Sequence, residues 1–134
     1  MDMQAWALPS AAALSFLGDA VHTLAVRRRL VLLGFSHAGK LNEEARRLVS
    51  AEAQAEQARR LLPRLREAEA DVYRRAFNSC HLNRPRHASG ADYRAATGLE
   101  AVFGMLEYTG QRERLDELIA CAIGEEGESH DTEN

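Results

Sequence analysis

The spacing of the apolar residues constrains the fold of this chain more than any other feature of its sequence. Along most of the chain, apolar side chains recur at intervals of three and four, the period of an amphipathic helix. No segment shows the alternation typical of a half-buried strand, so the chain is predicted to be all-α. The first helix is predicted from about Ser10 to Leu33, with an apolar face formed by Leu14, Leu17, Val21 and Leu24.

Local signals divide the rest of the chain into about five further helices. Ser50 is a suitable N-cap, because its hydroxyl can accept a backbone N–H of the next turn. Pro63 should end or kink its helix, since proline lacks an N–H and clashes with the preceding turn. Gly110 should stop a later helix. The second to fifth helices are predicted at about Ala38–Leu48, from Ala51 towards Pro63, at Glu67–Asn78 and at Ala91–Tyr108. A short sixth helix follows Gly110 and runs to about Ile123. A polar, basic loop is predicted from Cys80 to Gly90.

Length and composition favour one small domain. The 134 residues allow a single core, which we predict over residues 1–123. No apolar run approaches the roughly 20 residues that span a bilayer, and Met1–Gln4 lacks the features of a secretory signal. Cys80 and Cys121 have no metal-ligand spacing and are too few for a disulfide framework. A cytoplasmic protein without a membrane partner is therefore expected.

The charge of the chain is unevenly distributed. The formal net charge is −3, but residues 27–94 hold fifteen Lys and Arg against eight Asp and Glu. Such basic regions bind phosphate groups, although a solvated helix surface is the commoner explanation. Residues 125–134 hold five acids and no base. The segment from Gly124 to Asn134 has no large apolar residue and is predicted to be a disordered acidic tail.

The first predicted helix contains an acid inside a mostly apolar stretch. In ALSFLGDAVHTLAV, residues 13–26, Asp19 follows Gly18, and both residue types disfavour a helix interior. Ser15 and His22 lie one turn on either side of Asp19. The glycine permits close approach of another backbone, which would hold the Asp at a helix crossing. A surface Asp on an amphipathic helix is the alternative, and it is the more frequent arrangement.

The fifth predicted helix repeats this pattern. In YRAATGLEAVFGML, residues 93–106, Glu100 is the only acid, and Thr97 lies three residues before it. Gly98 and Gly104 again favour tight packing. If the two helices cross at their glycines, their acids meet, and paired carboxylates with nearby hydroxyls suit Mg²⁺, which keeps several waters. The alternative is a solvated Glu.

Two of these segments resemble a known family. LSFLGDAV (residues 14–21) is similar to the signature helix of ribonuclease III domains, and TGLEAVFGML (97–106) resembles the second acidic motif of the same family. LVSAEAQA (48–55) and YRAATGLEAVFG (93–104) resemble Mini-ribonuclease III, the short branch that lacks a double-stranded-RNA-binding domain. The resemblance extends from about Ala11 to Ile123.

The resemblance implies roles for the two acids. Asp19 and Glu100 correspond to the catalytic, metal-binding carboxylates, with Mg²⁺ as the metal and Mn²⁺ as a substitute. Longer family members carry a further acid one turn before each of these, where this chain has Ser15 and Thr97. These two hydroxyls are expected to act on the metal through water, if at all.

One segment departs from the resemblance. Mini-type enzymes usually carry a basic Arg-Asn-Ala-Lys stretch after the fourth helix. The equivalent segment here, Arg74–His81, keeps the Asn as Asn78 but has Phe77 in place of the Arg and lacks the Lys. Arg84 and Arg86 in the next loop are the residues that would compensate. RNA affinity is therefore expected to differ from that of typical members.

The implied protein is a homodimer that cuts double-stranded RNA with a metal-activated water, typically in large-subunit ribosomal RNA precursors. No Ser, His or Cys nucleophile is needed, so His22 is expected to be a packed or surface imidazole. A catalytically silent RNA-binding domain, a protein-binding helical dimer and a metal-dependent DNA nuclease are the alternatives. The expected RNA contacts are Lys40, Arg47, Ser50, Gln54, Arg75, Asn78, Arg84, Arg86 and Arg94.

Overall fold

The computed structural model describes residues 8–79 and 90–124, and within these ranges it contains six α-helices and no strand. This confirms the all-α prediction, and each helix lies within a few residues of its predicted position. The helices are α1 (Ala11–Leu32), α2 (Ala38–Val49), α3 (Ala51–Leu61), α4 (Glu67–Ser79), α5 (Gly90–Tyr108) and α6 (Arg112–Ile123).

The predicted start and stop signals act as expected. The Ser50 hydroxyl accepts the backbone N–H of Ala53 at 3.1 Å and so caps α3. After α3 the chain forms one 3₁₀ turn, Leu62–Arg64, which contains the proline. Gly34 and Gly110, which follow α1 and α5, have φ angles of +99° and +73°. Left-handed backbone of this kind is favourable for glycine and ends both helices.

Helix α5 is the centre of the core. It packs against α1, α3, α4 and α6, and nine of its residues are buried, on several sides of the helix. A helix that is apolar all round is expected in a core. The largest fully buried side chains of α5 are Leu99, Val102, Phe103 and Leu106.

Helices α1 and α5 cross in backbone contact. A methyl group at Gly18 would overlap the carbonyl group of Glu100, and one at Gly104 would overlap the carbonyl group of Leu14. Only glycine at both positions allows this approach. The predicted crossing is therefore confirmed, and it fixes the relative position of the two helices at the level of the main chain.

An ion pair joins α4 to α6. The Glu69 side chain is buried, and it accepts hydrogen bonds at 2.8 Å from the Arg66 N–H and from two nitrogens of the Arg114 guanidinium. Arg114 also donates to the Arg64 carbonyl oxygen at 2.8 Å. Burial opposes ionisation of Glu69, but the hydrogen bonds outweigh it and hold the pKa of this carboxyl below its usual value.

Two predicted regions fall outside the described residues. These are the basic loop with Arg84 and Arg86, and the acidic tail beyond Gly124. None of the helices within 8–79 and 90–124 is long and apolar enough to cross a membrane.

Candidate active site at the crossing of the first and fifth helices

The crossing of α1 and α5 brings the two predicted acids together. Asp19 is exposed on α1, and Glu100 is half-buried on α5. Their carboxyl groups lie close enough for Asp19 to raise the pKa of Glu100. This proximity follows from the packing, because Gly18 lies directly against the backbone of Glu100.

The environment of Glu100 favours its protonated form. Burial, a hydrogen bond with Asp19 and the negative charge of Asp19 raise the pKa of Glu100 to about 8, although a hydrogen bond from Gln54 opposes the shift. At neutral pH the Glu100 carboxyl is therefore mostly protonated. A cation bound between them would displace that proton and remove the repulsion.

The two hydroxyls that replace the additional family acids lie beside this pair. Ser15 Oγ donates to the carbonyl oxygen of Thr97 at 2.9 Å, which links α1 to α5. Thr97 Oγ1 donates to the carbonyl oxygen of Tyr93 at 2.9 Å. Because the Ser15 proton is used on the main chain, its hydroxyl oxygen can accept a hydrogen bond from a donor such as metal-bound water.

Gln54 is the third side chain at the carboxylates. It was expected among the RNA contacts, but it is only 4% exposed. Its Nε2 donates to the Val49 carbonyl oxygen at 3.1 Å, and its amide is near enough to Glu100 to lower the pKa of that carboxyl. Its Oε1 is buried and has no partner among the described residues. Gln54 therefore faces the acid pair and not a solvent-exposed phosphate.

His22 is a packed imidazole, one of the two placements expected for it. It is fully buried and stacked on Phe103, with ring centroids 6.0 Å apart. Gln57 Nε2 donates to the Leu48 carbonyl oxygen at 3.0 Å, so its Oε1 accepts from His22 Nε2, at 2.7 Å. Burial lowers the pKa of His22, against the effects of Gln57 and Asp19, which keeps the ring neutral at pH 7.

Three of the expected RNA contacts are basic side chains with more than half of their surface exposed. Lys40 and Arg47 lie on α2 and pair with Glu44 at 3.4 and 3.3 Å, and Arg75 pairs with Asp71 on α4 at 3.2 Å. Exposed pairs of this kind contribute little stability. These cations are therefore available to phosphate groups.

The other expected RNA contacts within the described residues are Ser50, Asn78 and Arg94. Asn78 is exposed near the end of α4, while Ser50 is used as the cap of α3. The Arg94 guanidinium lies 6.0 Å from the centre of the Phe77 ring. Phe77, the residue that departs from the family pattern, thus packs against a cation on α5 and takes no part in the carboxylate pair.

The donor set around the acids suits a hard cation that keeps most of its water. Within the described ranges, no group of three or more His, Cys, Asp or Glu side chains could hold a metal ion. Asp19 and Glu100 would supply two carboxylate oxygens, which is how Mg²⁺ is commonly bound. The unpartnered oxygen of Gln54 and the hydroxyl oxygens can accept hydrogen bonds from the retained waters.

The chain is similar to known proteins over most of its length. A family model for the ribonuclease III domain matches residues 12–111. Mini-ribonuclease 3 from Symbiobacterium thermophilum is 42% identical over 81% of this chain and 84% of its own length. Mini-ribonuclease 3 from Streptococcus pneumoniae is 40% identical over 83% of this chain and 88% of its own length.

A crystal structure of a protein from Fusobacterium nucleatum agrees with this fold. The two share a TM-score of 0.79 at 28% sequence identity, over 87% of this chain and 94% of that one. Fold and site together define a ribonuclease III domain. The chain belongs to the ribonuclease III family of nucleases, in its Mini-ribonuclease 3 branch.

Proposed function

We propose that this protein is a metal-dependent endoribonuclease that hydrolyses phosphodiesters in double-stranded RNA. The observation that carries the proposal is the proximity of Asp19 and Glu100, two acids from different helices that the backbone contact at Gly18 brings together. Two carboxyls in contact do not stabilise a fold, because their charges repel. A divalent cation that binds a substrate phosphate is commonly held by such a pair. Membership of the ribonuclease III family supports the same activity.

In this proposal Asp19 and Glu100 are the catalytic residues. Bound Mg²⁺, or Mn²⁺ in its place, would supply an activated water and neutralise charge on the phosphate. The protein holds the two carboxylates at a spacing that the Gly18 and Gly104 backbones determine. Ser15 and Thr97, with their protons committed to carbonyl groups, orient the surrounding water.

The RNA contacts are proposed from exposure and charge. Duplex RNA is recognised mainly through its shape, phosphates and 2′-hydroxyls, which requires arginine and polar side chains rather than base-specific readers. Lys40 and Arg47 lie on α2, whose last residue, Val49, accepts a hydrogen bond from Gln54, a neighbour of Glu100. With them we propose Ser50, Arg75, Asn78 and Arg94, and Arg84 and Arg86 of the loop outside the described residues.

We also propose a homodimer, because α1 exposes an apolar stripe. Phe16, Leu24 and Val31 are 83%, 68% and 63% exposed, and spacings of eight and seven residues put them on one side of α1. Pairing of two such stripes would bury them and give one carboxylate pair for each RNA strand. The proposed natural substrate, a large-subunit ribosomal RNA precursor in the cytoplasm, rests on the resemblance to Mini-ribonuclease III alone.

The test is cleavage of a long, perfectly paired RNA duplex with Mg²⁺ or with EDTA. Wild-type protein should cut only with Mg²⁺, and Asp19→Asn should lose about 10³-fold in rate, the equivalent of several kcal/mol of transition-state stabilisation. Asp116→Asn removes the same group from an exposed position on α6 and is the control. It should cut like wild type.

Other outcomes would favour other functions. Salt-sensitive RNA binding without cleavage would indicate a catalytically silent RNA-binding domain. No RNA binding at any salt concentration would indicate a protein-binding dimer, and cleavage of DNA duplexes in preference to RNA would indicate a DNA nuclease. Unchanged cleavage by a folded Asp19→Asn variant would refute the assignment of the metal site.

A further inference from the structure

The junction between α2 and α3 is held by two glutamines that lie one turn apart on α3. Gln54 Nε2 donates to the carbonyl oxygen of Val49 at 3.1 Å, and Gln57 Nε2 donates to that of Leu48 at 3.0 Å. These are the last carbonyls of α2, which lack partners within their own helix. Helix α2 has no fully buried residue, and these two bonds tie its end to α3.

The two glutamines differ at their other ends. Gln57 Oε1 accepts from His22 Nε2 at 2.7 Å, so both ends of its amide are satisfied. The Gln54 amide lies near enough to Glu100 to lower the pKa of that carboxyl, and its Oε1 is buried without a partner among the described residues. A buried, unpaired carbonyl costs about 1–3 kcal/mol. The chain therefore leaves an acceptor unsatisfied beside the carboxylate pair.

We propose that Gln54 is a positioning residue of the metal site, an inference that rests on the proposed function. Its Nε2 is held by the Val49 carbonyl oxygen, so that in the loaded site the amide would orient the neighbouring Glu100 carboxylate and its unpartnered Oε1 would accept a hydrogen bond from a water of the bound cation. Hydrogen-bonding partners just outside a metal's ligands commonly fix ligand orientation and raise metal affinity. Gln54 also connects the α2–α3 junction, with Arg47 and Ser50, to the two acids.

Gln57 provides a matched control within the same helix. It is as buried as Gln54, at 3% against 4% exposure, and it makes the same kind of bond to a neighbouring carbonyl group of α2. Only its second partner differs. Replacement of either residue by Met keeps the apolar volume and removes the amide, and Gln57→Met, which leaves His22 Nε2 without its acceptor, should lose more thermal stability than Gln54→Met.

The experiment measures Mn²⁺ binding to the free protein, without RNA, by water-proton relaxation. Gln54→Met should weaken Mn²⁺ binding by about tenfold or more, whereas Gln57→Met should stay within about twofold of wild type. Asp19→Asn should abolish the binding. Equal Mn²⁺ affinity in the two Met variants would reduce Gln54 to a structural residue and overturn the inference while leaving the proposed function intact.

A second measurement covers the case in which Gln54→Met does not fold. In the NMR spectrum of the wild-type protein, Mn²⁺ should broaden the side-chain amide signal of Gln54. This broadening should be absent in Asp19→Asn. Wild-type-like Mn²⁺ binding by folded Asp19→Asn would overturn the metal site itself, and the Gln54 inference with it. Absence of broadening at Gln54 in a protein that binds Mn²⁺ through Asp19 would overturn the inference alone.

Discussion

Two glutamates in this molecule illustrate opposite uses of a carboxylate. Glu69 lies between α4 and α6, and the Arg114 guanidinium and a backbone N–H surround it. Glu100 lies between α1 and α5, where its nearest charged neighbour is another acid, Asp19. The pKa of Glu69 is below its usual value, whereas that of Glu100 is raised to about 8.

The difference separates a group that stabilises the fold from one that we propose serves the metal site. The partners of Glu69 belong to the chain itself, so its ionised form is satisfied as soon as the protein folds. The ionised form of Glu100 is destabilised until a positive charge arrives from outside. Carboxyl groups with a raised pKa, such as Glu100, are common at functional sites. Four predictions test this contrast.

The largest expected effect comes from adding a side chain where α1 and α5 are in backbone contact. Gly18→Ala would place a methyl group in the backbone of Glu100, which no side-chain rotation can relieve. We expect a loss of more than about 4 kcal/mol of unfolding free energy, measured by urea denaturation. The control is Gly39→Ala in α2, where a Cβ meets nothing within 4 Å, and where alanine should stabilise by up to about 1 kcal/mol. A Gly18→Ala variant as stable as wild type would contradict the backbone contact.

The second prediction compares the loss of an acid from the Glu69–Arg114 ion pair with the loss of an acid from the carboxylate pair. Glu69→Ala leaves Arg114 without its buried partner and should cost about 2–3 kcal/mol, which lowers Tm by about 10 °C. The cleavage rate of the folded protein should remain within about twofold of wild type. Asp19→Asn should show the reverse, with unchanged or higher Tm and no cleavage.

Glu117→Ala is the control for this comparison. Glu117 pairs with the same Arg114 at 3.1 Å, but its side chain is 60% exposed, so its removal should cost less than about 1 kcal/mol. Equal loss of Tm in Glu69→Ala and Glu117→Ala would show that burial of the Glu69 pair contributes nothing.

The third prediction concerns the pH dependence of stability in EDTA. The raised pKa of Glu100 stabilises the folded state below the unfolded value near 4.5, and this contribution is lost as pH rises through about 8. The lowered pKa of Glu69 acts in the opposite sense: its contribution is present above about pH 4.5 and is lost as pH falls. Relative to Glu100→Gln, the wild type should therefore lose Tm between pH 5 and 8. Relative to Glu69→Gln, it should lose Tm below pH 4.5.

Both pairs of proteins keep His22, so the buried imidazole cancels in each difference. Parallel Tm curves for wild type and Glu100→Gln between pH 5 and 8 would show that the acid pair is not coupled in solution. Mg²⁺ should raise the Tm of the wild type above pH 7 and leave that of Glu100→Gln nearly unchanged.

The smallest effect is expected from acids that belong to neither site. Deletion of residues 125–134 removes five acids and no base. Tm should stay within about 2 °C of wild type, and cleavage should be unchanged or slightly faster, because the deleted segment has the same sign of charge as RNA. Loss of folding on deletion would contradict the predicted disorder of this segment.

Much of the fold could be predicted because its determinants are local. Ser50, Pro63 and Gly110 mark helix ends by their own chemistry, whatever they contact. The crossing of α1 and α5 was also predictable, since Gly18 and Gly104 are unfavourable in helices without close packing. The juxtaposition of the two acids follows from that crossing.

The polar interior of the protein could not be predicted in the same way. Glu69 and Arg114 are 45 residues apart, and each resembles a surface residue of an amphipathic helix. Gln54 and Gln57 likewise resemble solvated side chains. The available signal was their spacing on the same face of α3 as buried Ala58 and Leu61, but the partners at Glu100 and His22 depend on tertiary packing that spacing does not encode.

The glycine crossing has a consequence for redesign of the metal preference. In most sites the gap between two ligands depends on side chains, and repacking the surrounding core changes it. Here the main chains of α1 and α5 touch at Gly18 and Gly104, so repacking Leu99 or Phe103 cannot bring the helices closer. To fit a smaller ion in the proposed metal site, selection would have to lengthen the acidic side chains themselves, for example through Asp19→Glu.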